Sequence, residues 1–168
     1  AYSRNKGFKS SSSKYVLFVD NDIILQVGSI TEMIRSIEEV DISFPKVIYE
    51  NKKVMHPIGK EKEYPQISAC FMIKKESVKK MDELFDANYK IYLEDADFFL
   101  RANLFGLKSK YSEKSVAVHK LKKSYNEARF YLETKNLYYG WFKFLGIKKK
   151  GILHPFKLSS FISNFICA

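Results

Sequence analysis

Three groups of side chains have the types and spacing to work on a charged substrate. The first is Asp20-Asn21-Asp22, which closes the apolar run Tyr15-Val16-Leu17-Phe18-Val19. A run so rich in β-branched and aromatic residues, bounded by the serines at 10–13, predicts a buried strand. A strand that delivers two carboxylates at its carboxyl end is a common site geometry in α/β sheets. Such a pair suits a hard divalent cation, Mg²⁺ or Mn²⁺, with water and phosphate oxygens completing the shell. The second group is Glu94-Asp95-Ala96-Asp97, followed by Arg101. Asp97 and Arg101 stand four apart and pair on one helix face. Glu94 and Asp95 remain at the helix mouth, where a carboxylate beside a metal site can act as a general base. The third is His119 at the end of an apolar strand, a position from which an imidazole can complete an oxygen/nitrogen metal site. Taken singly, each has a plainer reading: a polar turn, a helix cap, a structural histidine.

The surrounding pattern supplies elements to position these groups. Residues 1–13 read as a loop or short helix leading into the first strand. Ser29 with Glu32 three residues later forms a capping box, and Ile30, Met33, Ile34 and Ile37 follow at helical spacing, which predicts a helix over 29–39 packed on a sheet. Residues 41–49 read as a strand interrupted at Pro45, with 53–56 as its hairpin partner and 57–64 as a polar loop; His56 is a loop histidine. Residues 67–73 (ISACFMI) form the next strand, and a short helix is expected over 74–81. The acidic helix begins at Glu94 and ends at Gly106, a C-cap. Two short strands, 107–111 and 115–118, flank a turn at Ser112-Glu113. A long aromatic helix covers 124–145, and a final one covers 156–167. Two domains are read from this: residues 1–123, which hold the acidic clusters, and a basic, aromatic helical tail, 124–168.

The 168 residues suffice for one sizeable core, and 15% aromatic content with seven glycines marks an ordered globular chain. Cys70 and Cys167 lie in apolar surroundings without metal-ligand spacing and read as small buried hydrophobes of a reducing compartment. No membrane-spanning run or signal peptide is visible. The net charge of +10 is concentrated. Residues 1–105 carry 16 basic and 16 acidic side chains, whereas residues 106–168 carry 13 and 3. A balanced body with a basic tail suggests a surface that meets phosphates or anionic lipid.

The order of these pieces resembles family 2 glycosyltransferases of the GT-A fold, especially the rhamnosyltransferase-like branch. Arg4-Asn5-Lys6-Gly7 resembles the asparagine-glycine segment before the metal strand, and YVLFVDNDIIL resembles the strand with its DXD motif. ISACFMIKKESVKKMDELFD is similar to the small-residue strand leading to a helix and a Phe-Asp pair. YLEDADFFLRANLFGLKSKYSEKSVAVHK matches the acidic helix, the returning strands and the closing histidine. The resemblance covers residues 1–137. It implies a mixed central sheet flanked by helices, a partial GT-A fold. It assigns Asp22, assisted by Asp20 and His119, to a Mn²⁺ or Mg²⁺ that bridges the donor diphosphate. Asn21 and Asn5 join Asp20 and Asp22 around the donor. Asp95 becomes the general base, with Glu94 second, and Ser68, Ala69, Asp97 and Arg101 belong to the substrate pocket.

The implied reaction is inverting transfer from a nucleotide-sugar donor to a glycan or lipid-linked acceptor, at the inner face of the cell membrane. Two departures stand out. Nothing before Ala1 corresponds to the family's opening strand–helix unit, so a fragment is expected, and Ala69 stands where the family often has glycine. Another metal-dependent phosphoryl or nucleotidyl transfer protein would also use strand-end carboxylates, but the scattered glycines offer no phosphate loop. A basic nucleic-acid-binding module explains the tail but leaves the acidic clusters to repel the ligand.

Overall fold

The strand Cys70–Lys74 (β4 below) shows how the chain builds two cores at once. Its side chains alternate between the two faces of a sheet: Phe71 and Ile73 enter one apolar cluster, Cys70 and Met72 another. The computed structural model describes residues 1–51, 68–79, 81–120 and 127–149, with side chains through Phe144. The expected hairpin partner 53–56, the loop 57–64 with His56, and the helix 156–167 with Cys167 lie outside these residues.

The order of elements is α1 (Tyr2–Ser10), β1 (Tyr15–Val19), β2 (Ile23–Leu25), α2 (Ser29–Ile37), β3 (Ile42–Tyr49), β4 (Cys70–Lys74), α3 (Glu94–Leu104), β5 (Ser109–His119) and α4 (Glu127–Lys149). The strands form one mixed sheet, β1-β4-β3-β5-β2. Only the β3–β5 pairing is parallel; the others are antiparallel. This is the expected α/β architecture with a mixed central sheet. The chain divides into two compact units, Ala1–Tyr125 and Asn126–Ala168. In the first, α2 covers one sheet face through Met33 and Ile37. Phe98, Phe99 and Ala102 of α3 cover the other, with Phe8 of α1 packed against them. Phe71 is the centre of that second core, with the rings of Phe18, Phe44, Phe85, Phe98 and Phe99 around it at 4.8–6.4 Å. Edge-to-face and offset packing of this kind adds to plain burial.

Several sequence expectations are corrected. β1 is an edge strand among the described residues, and only Phe18 of its five side chains is fully buried. β2, three residues long, was not anticipated. β3 runs on through Pro45, and the expected interruption takes the form of a break in its pairing. Its ladder with β4 covers only Ile42 and Ser43, and its register with β5 jumps from Pro45↔Ser112 to Lys46↔Val116. The sheet thus breaks register next to the residue that has no N–H to donate. The same jump makes β5 one eleven-residue strand with a bulge at 113–115, where two strands and a turn were expected.

The capping box does not form. Gly28, at φ +85°, precedes α2, and the Ser29 hydroxyl donates to the Val116 carbonyl at 2.8 Å and accepts from its N–H at 3.0 Å. Glu32 pairs with Arg35 instead. Ile30 and Ile34 remain exposed, so the buried stripe is Ser29, Met33, Ser36 and Ile37. The segment after β4 makes turns instead of the expected helix. Gly106 does cap α3. With φ +75°, it donates to Asn103, and Leu107 donates to Ala102 at 3.0 Å, a Schellman closure.

Candidate active site

β1 pairs antiparallel with β4, so Val19 faces Cys70 and the end of β1 meets the start of β4. Asp20 donates its N–H to Ala69 at 2.9 Å, which sets it beside Ser68 and Ala69. A turn follows, closed by the Ile23 N–H on the Asp20 carbonyl at 3.1 Å, with Asn21 exposed at its tip. β2 then pairs with β5, placing Ile23 opposite His119. The Lys120 N–H donates to the Asp22 carbonyl at 2.8 Å. Asp22 Oδ2 therefore stands 3.7 Å from His119 Nε2. The Tyr49 ring meets the imidazole edge-on at 6.1 Å, and His119 Nδ1 is buried with no hydrogen-bond partner.

The second acidic cluster reaches the first through one arginine. Arg4 Nη2 donates to Asp20 Oδ1 at 2.6 Å, and Nη1 donates to Glu94 Oε1 at 3.1 Å and Ser68 Oγ at 2.7 Å. Its guanidinium lies 5.4 Å from the centre of the Phe85 ring. Asn5, the next residue of α1, exchanges two hydrogen bonds with the Phe85 backbone, at 2.6 and 2.9 Å. In this structure Asn5 anchors α1 and thereby fixes where Arg4 projects.

Asp95 is held at both oxygens. Ser68 donates to Oδ2 from its N–H at 3.1 Å and its hydroxyl at 3.3 Å, and the Ala96 N–H donates to Oδ1 at 2.8 Å. Loss of solvation, then the neighbouring Glu94 charge, outweighs these bonds and Arg4, and raises the Asp95 carboxyl to about 6. Glu94 Oε2 is buried without a hydrogen-bond partner. Two residues directly before α3, Tyr92 and Leu93, hold left-handed backbone at φ 65° and 66°. Non-glycine residues adopt this only where the surroundings enforce it, at a cost of order 1–3 kcal/mol each.

Asp97 and Arg101 form the expected i,i+4 pair at 2.7 Å. Arg101 also donates to the Glu83 and Leu84 carbonyls at 2.9 and 2.8 Å, so the pair pins the turn before α3. Of the expected metal residues, Asp22 and His119 come together while Asp20 pairs with Arg4. Among the described residues, no three His, Cys, Asp or Glu side chains converge as a metal set. His119 faces Asp22 through Nε2, and Nδ1 is the buried nitrogen without a partner. Sequence reading missed Arg4 as a functional residue. The available signal was rarity: four of the 29 basic residues are arginine, and two of them, Arg4 and Arg101, serve as forked donors in the interior.

The family model described as "Glycosyl transferase family 2" matches residues 1–105. The chain belongs to this family. Among solved structures it is similar to TarS of S. aureus, at 17% identity and TM-score 0.57, over 72% of this chain and 24% of that one. It is also similar to TarS 1-349 in complex with UDP, at 21% identity and TM-score 0.56, over 71% of this chain and 39% of that one. The chain therefore spans about a quarter to two fifths of these relatives. No curated protein matches. These likenesses establish the fold as a partial GT-A type. Within the family-2 match lie α1 with Arg4, the β1 aspartates, Ser68 and the Glu94–Asp95 pair; His119 lies beyond it.

Proposed function

We propose that this family-2 chain takes part in inverting transfer of a sugar from a nucleotide-sugar donor to a hydroxyl of a glycan or lipid-linked acceptor. The observation that carries this reading is Asp95, fixed at both oxygens, raised to about 6 and joined through Ser68 and Arg4 to the strand-end aspartate. A carboxylate with that value is ionised at neutral pH and more basic than an ordinary aspartate, which suits a general base. The acceptor oxygen attacks the anomeric carbon from the face opposite the leaving diphosphate. Its proton passes to Asp95, and the carbon–oxygen bond to phosphate breaks with its electron pair leaving on the nucleoside diphosphate. Glu94 Oε2 offers a second acceptor for the incoming hydroxyl. Arg4 holds Glu94 and Asp20 in place and sets a positive charge between the two clusters.

Asp22 and His119 would hold a Mn²⁺ or Mg²⁺ ion, with Asp20 kept on Arg4. When bound, such an ion neutralises charge on the donor diphosphate. Ser68 and Ala69 form the adjoining wall. The test is calorimetric titration of the chain with UDP and other nucleoside diphosphates, with and without Mn²⁺. We expect the diphosphate and Mn²⁺ to strengthen each other's binding, and Asp22→Ala to abolish that coupling. Binding of neither, or coupling unchanged in Asp22→Ala, would overturn the donor-site assignment.

A further inference from the structure

α4 exposes most of its large aromatic rings. Phe130, Tyr131, Tyr138, Tyr139, Trp141 and Phe142 are between 36% and 68% exposed, while Asn136 and Phe144 are buried. At 3.6 residues per turn the six exposed rings fall within an arc of about 180°, one half of the helix. The exposed Glu127 and Lys135 lie within the same arc. Asn136 and Phe144 mark the opposite side, together with the partly sheltered Arg129 and Glu133, which pair at 2.8 Å. A helix of a water-soluble body normally turns its aromatics inward and its polar residues outward. Six large rings on one exposed half mark an interaction surface.

We propose that this face of α4 docks in the plane of an anionic lipid bilayer, with the aromatic rings at the headgroup–acyl boundary. Three observations select lipid as the occupant. The ring set is mixed, with Trp141 and three tyrosines beside two phenylalanines, and Trp and Tyr pair an apolar body with a polar group in the way the interface rewards. The charge is complementary: the unit that holds α4, residues 126–168, carries seven basic against two acidic side chains, and Lys148-Lys149-Lys150 follow the aromatic stretch directly. Finally, no helix among the described residues is long and apolar enough to cross a membrane, so α4 is suited to lying on one rather than spanning it. This inference does not depend on the sugar chemistry.

Trp141 is the only tryptophan in the chain and sits on the proposed face, so its fluorescence reports directly. The chain is mixed with phosphatidylcholine vesicles and with phosphatidylcholine/phosphatidylglycerol vesicles. Co-sedimentation with the anionic vesicles should be at least about tenfold stronger, and should weaken as salt rises. Trp141 emission should shift to the blue and be quenched by brominated acyl chains. The doubly substituted Trp141→Ser/Phe142→Ser should bind at least about tenfold more weakly, and Phe130→Ser/Tyr131→Ser, which keeps the tryptophan, should lose its blue shift. Circular dichroism establishes that each variant is folded. Three results would overturn the proposal: no association of folded protein with anionic vesicles, association that both double variants retain, or emission already blue and unchanged by lipid. The last would mean that another part of the chain or a second copy covers the face.

Discussion

Arg4 commits its guanidinium to groups from three parts of the chain, Asp20, Ser68 and Glu94. Lysine would keep the charge but not the fork that reaches all three. Arg4→Ala is expected to cost about 1–3 kcal/mol in urea denaturation, because charged partners lose their hydrogen bonds, and Arg4→Lys to recover less than about half of that. Asp95 has a different signature. Its carboxyl is raised from 3.8 to about 6, so the folded protein holds that proton more tightly than the unfolded chain. The resulting stability is present below pH about 4 and is lost as pH rises through about 6. Asp95→Asn does not titrate. Its stability relative to wild type should therefore climb between those two values and level off above them, whatever constant offset the lost hydrogen bonds impose. A flat difference across that window would contradict the raised value.

Among the elements, α2 shows where local motifs yield to tertiary partners. Ser29 and Glu32 have capping-box spacing, yet Val116 claims the serine and Arg35 the glutamate. Ser29→Ala should thus destabilise by about 1–2 kcal/mol, since it removes two bonds between a buried hydroxyl and part-buried backbone, while Glu32→Gln should change stability by less than about 0.5 kcal/mol. A true capping box would make both costly. The contrast explains what was legible. The β1 strand, the acidic helix and its Gly106 cap follow from residues within a few positions of one another. The continuous β3, the β5 bulge and the Ser29–Val116 link depend on neighbours far along the chain. Short β2 lacks the length for periodicity to register; its strand conformation comes from pairing with β5.

At the scale of the whole molecule, the sheet brings motifs far apart in sequence next to one another. The β1–β4 pairing sets Asp20 beside Ser68, and the β2–β5 pairing sets Asp22 beside His119. The Asp20, Asp22 and Glu94–Asp95 groups were legible as residue types at strand and helix ends. Their connection was not, because Arg4 lies 64 residues from Ser68 and 90 from Glu94. The aromatic tail was legible as a helix, but which of its faces is exposed was not.

The central claim is that Asp95 is the base in glycosyl transfer. Its most direct test follows nucleoside diphosphate release from nucleotide-sugar donors, with simple glycosides as acceptors, against pH. The wild-type rate should rise with pH to a plateau above an apparent value near 6. Asp95→Asn should lower that plateau by about 10²–10⁴-fold and erase the rise. Release that is absent from every donor, or equal in the folded variant, would contradict the account.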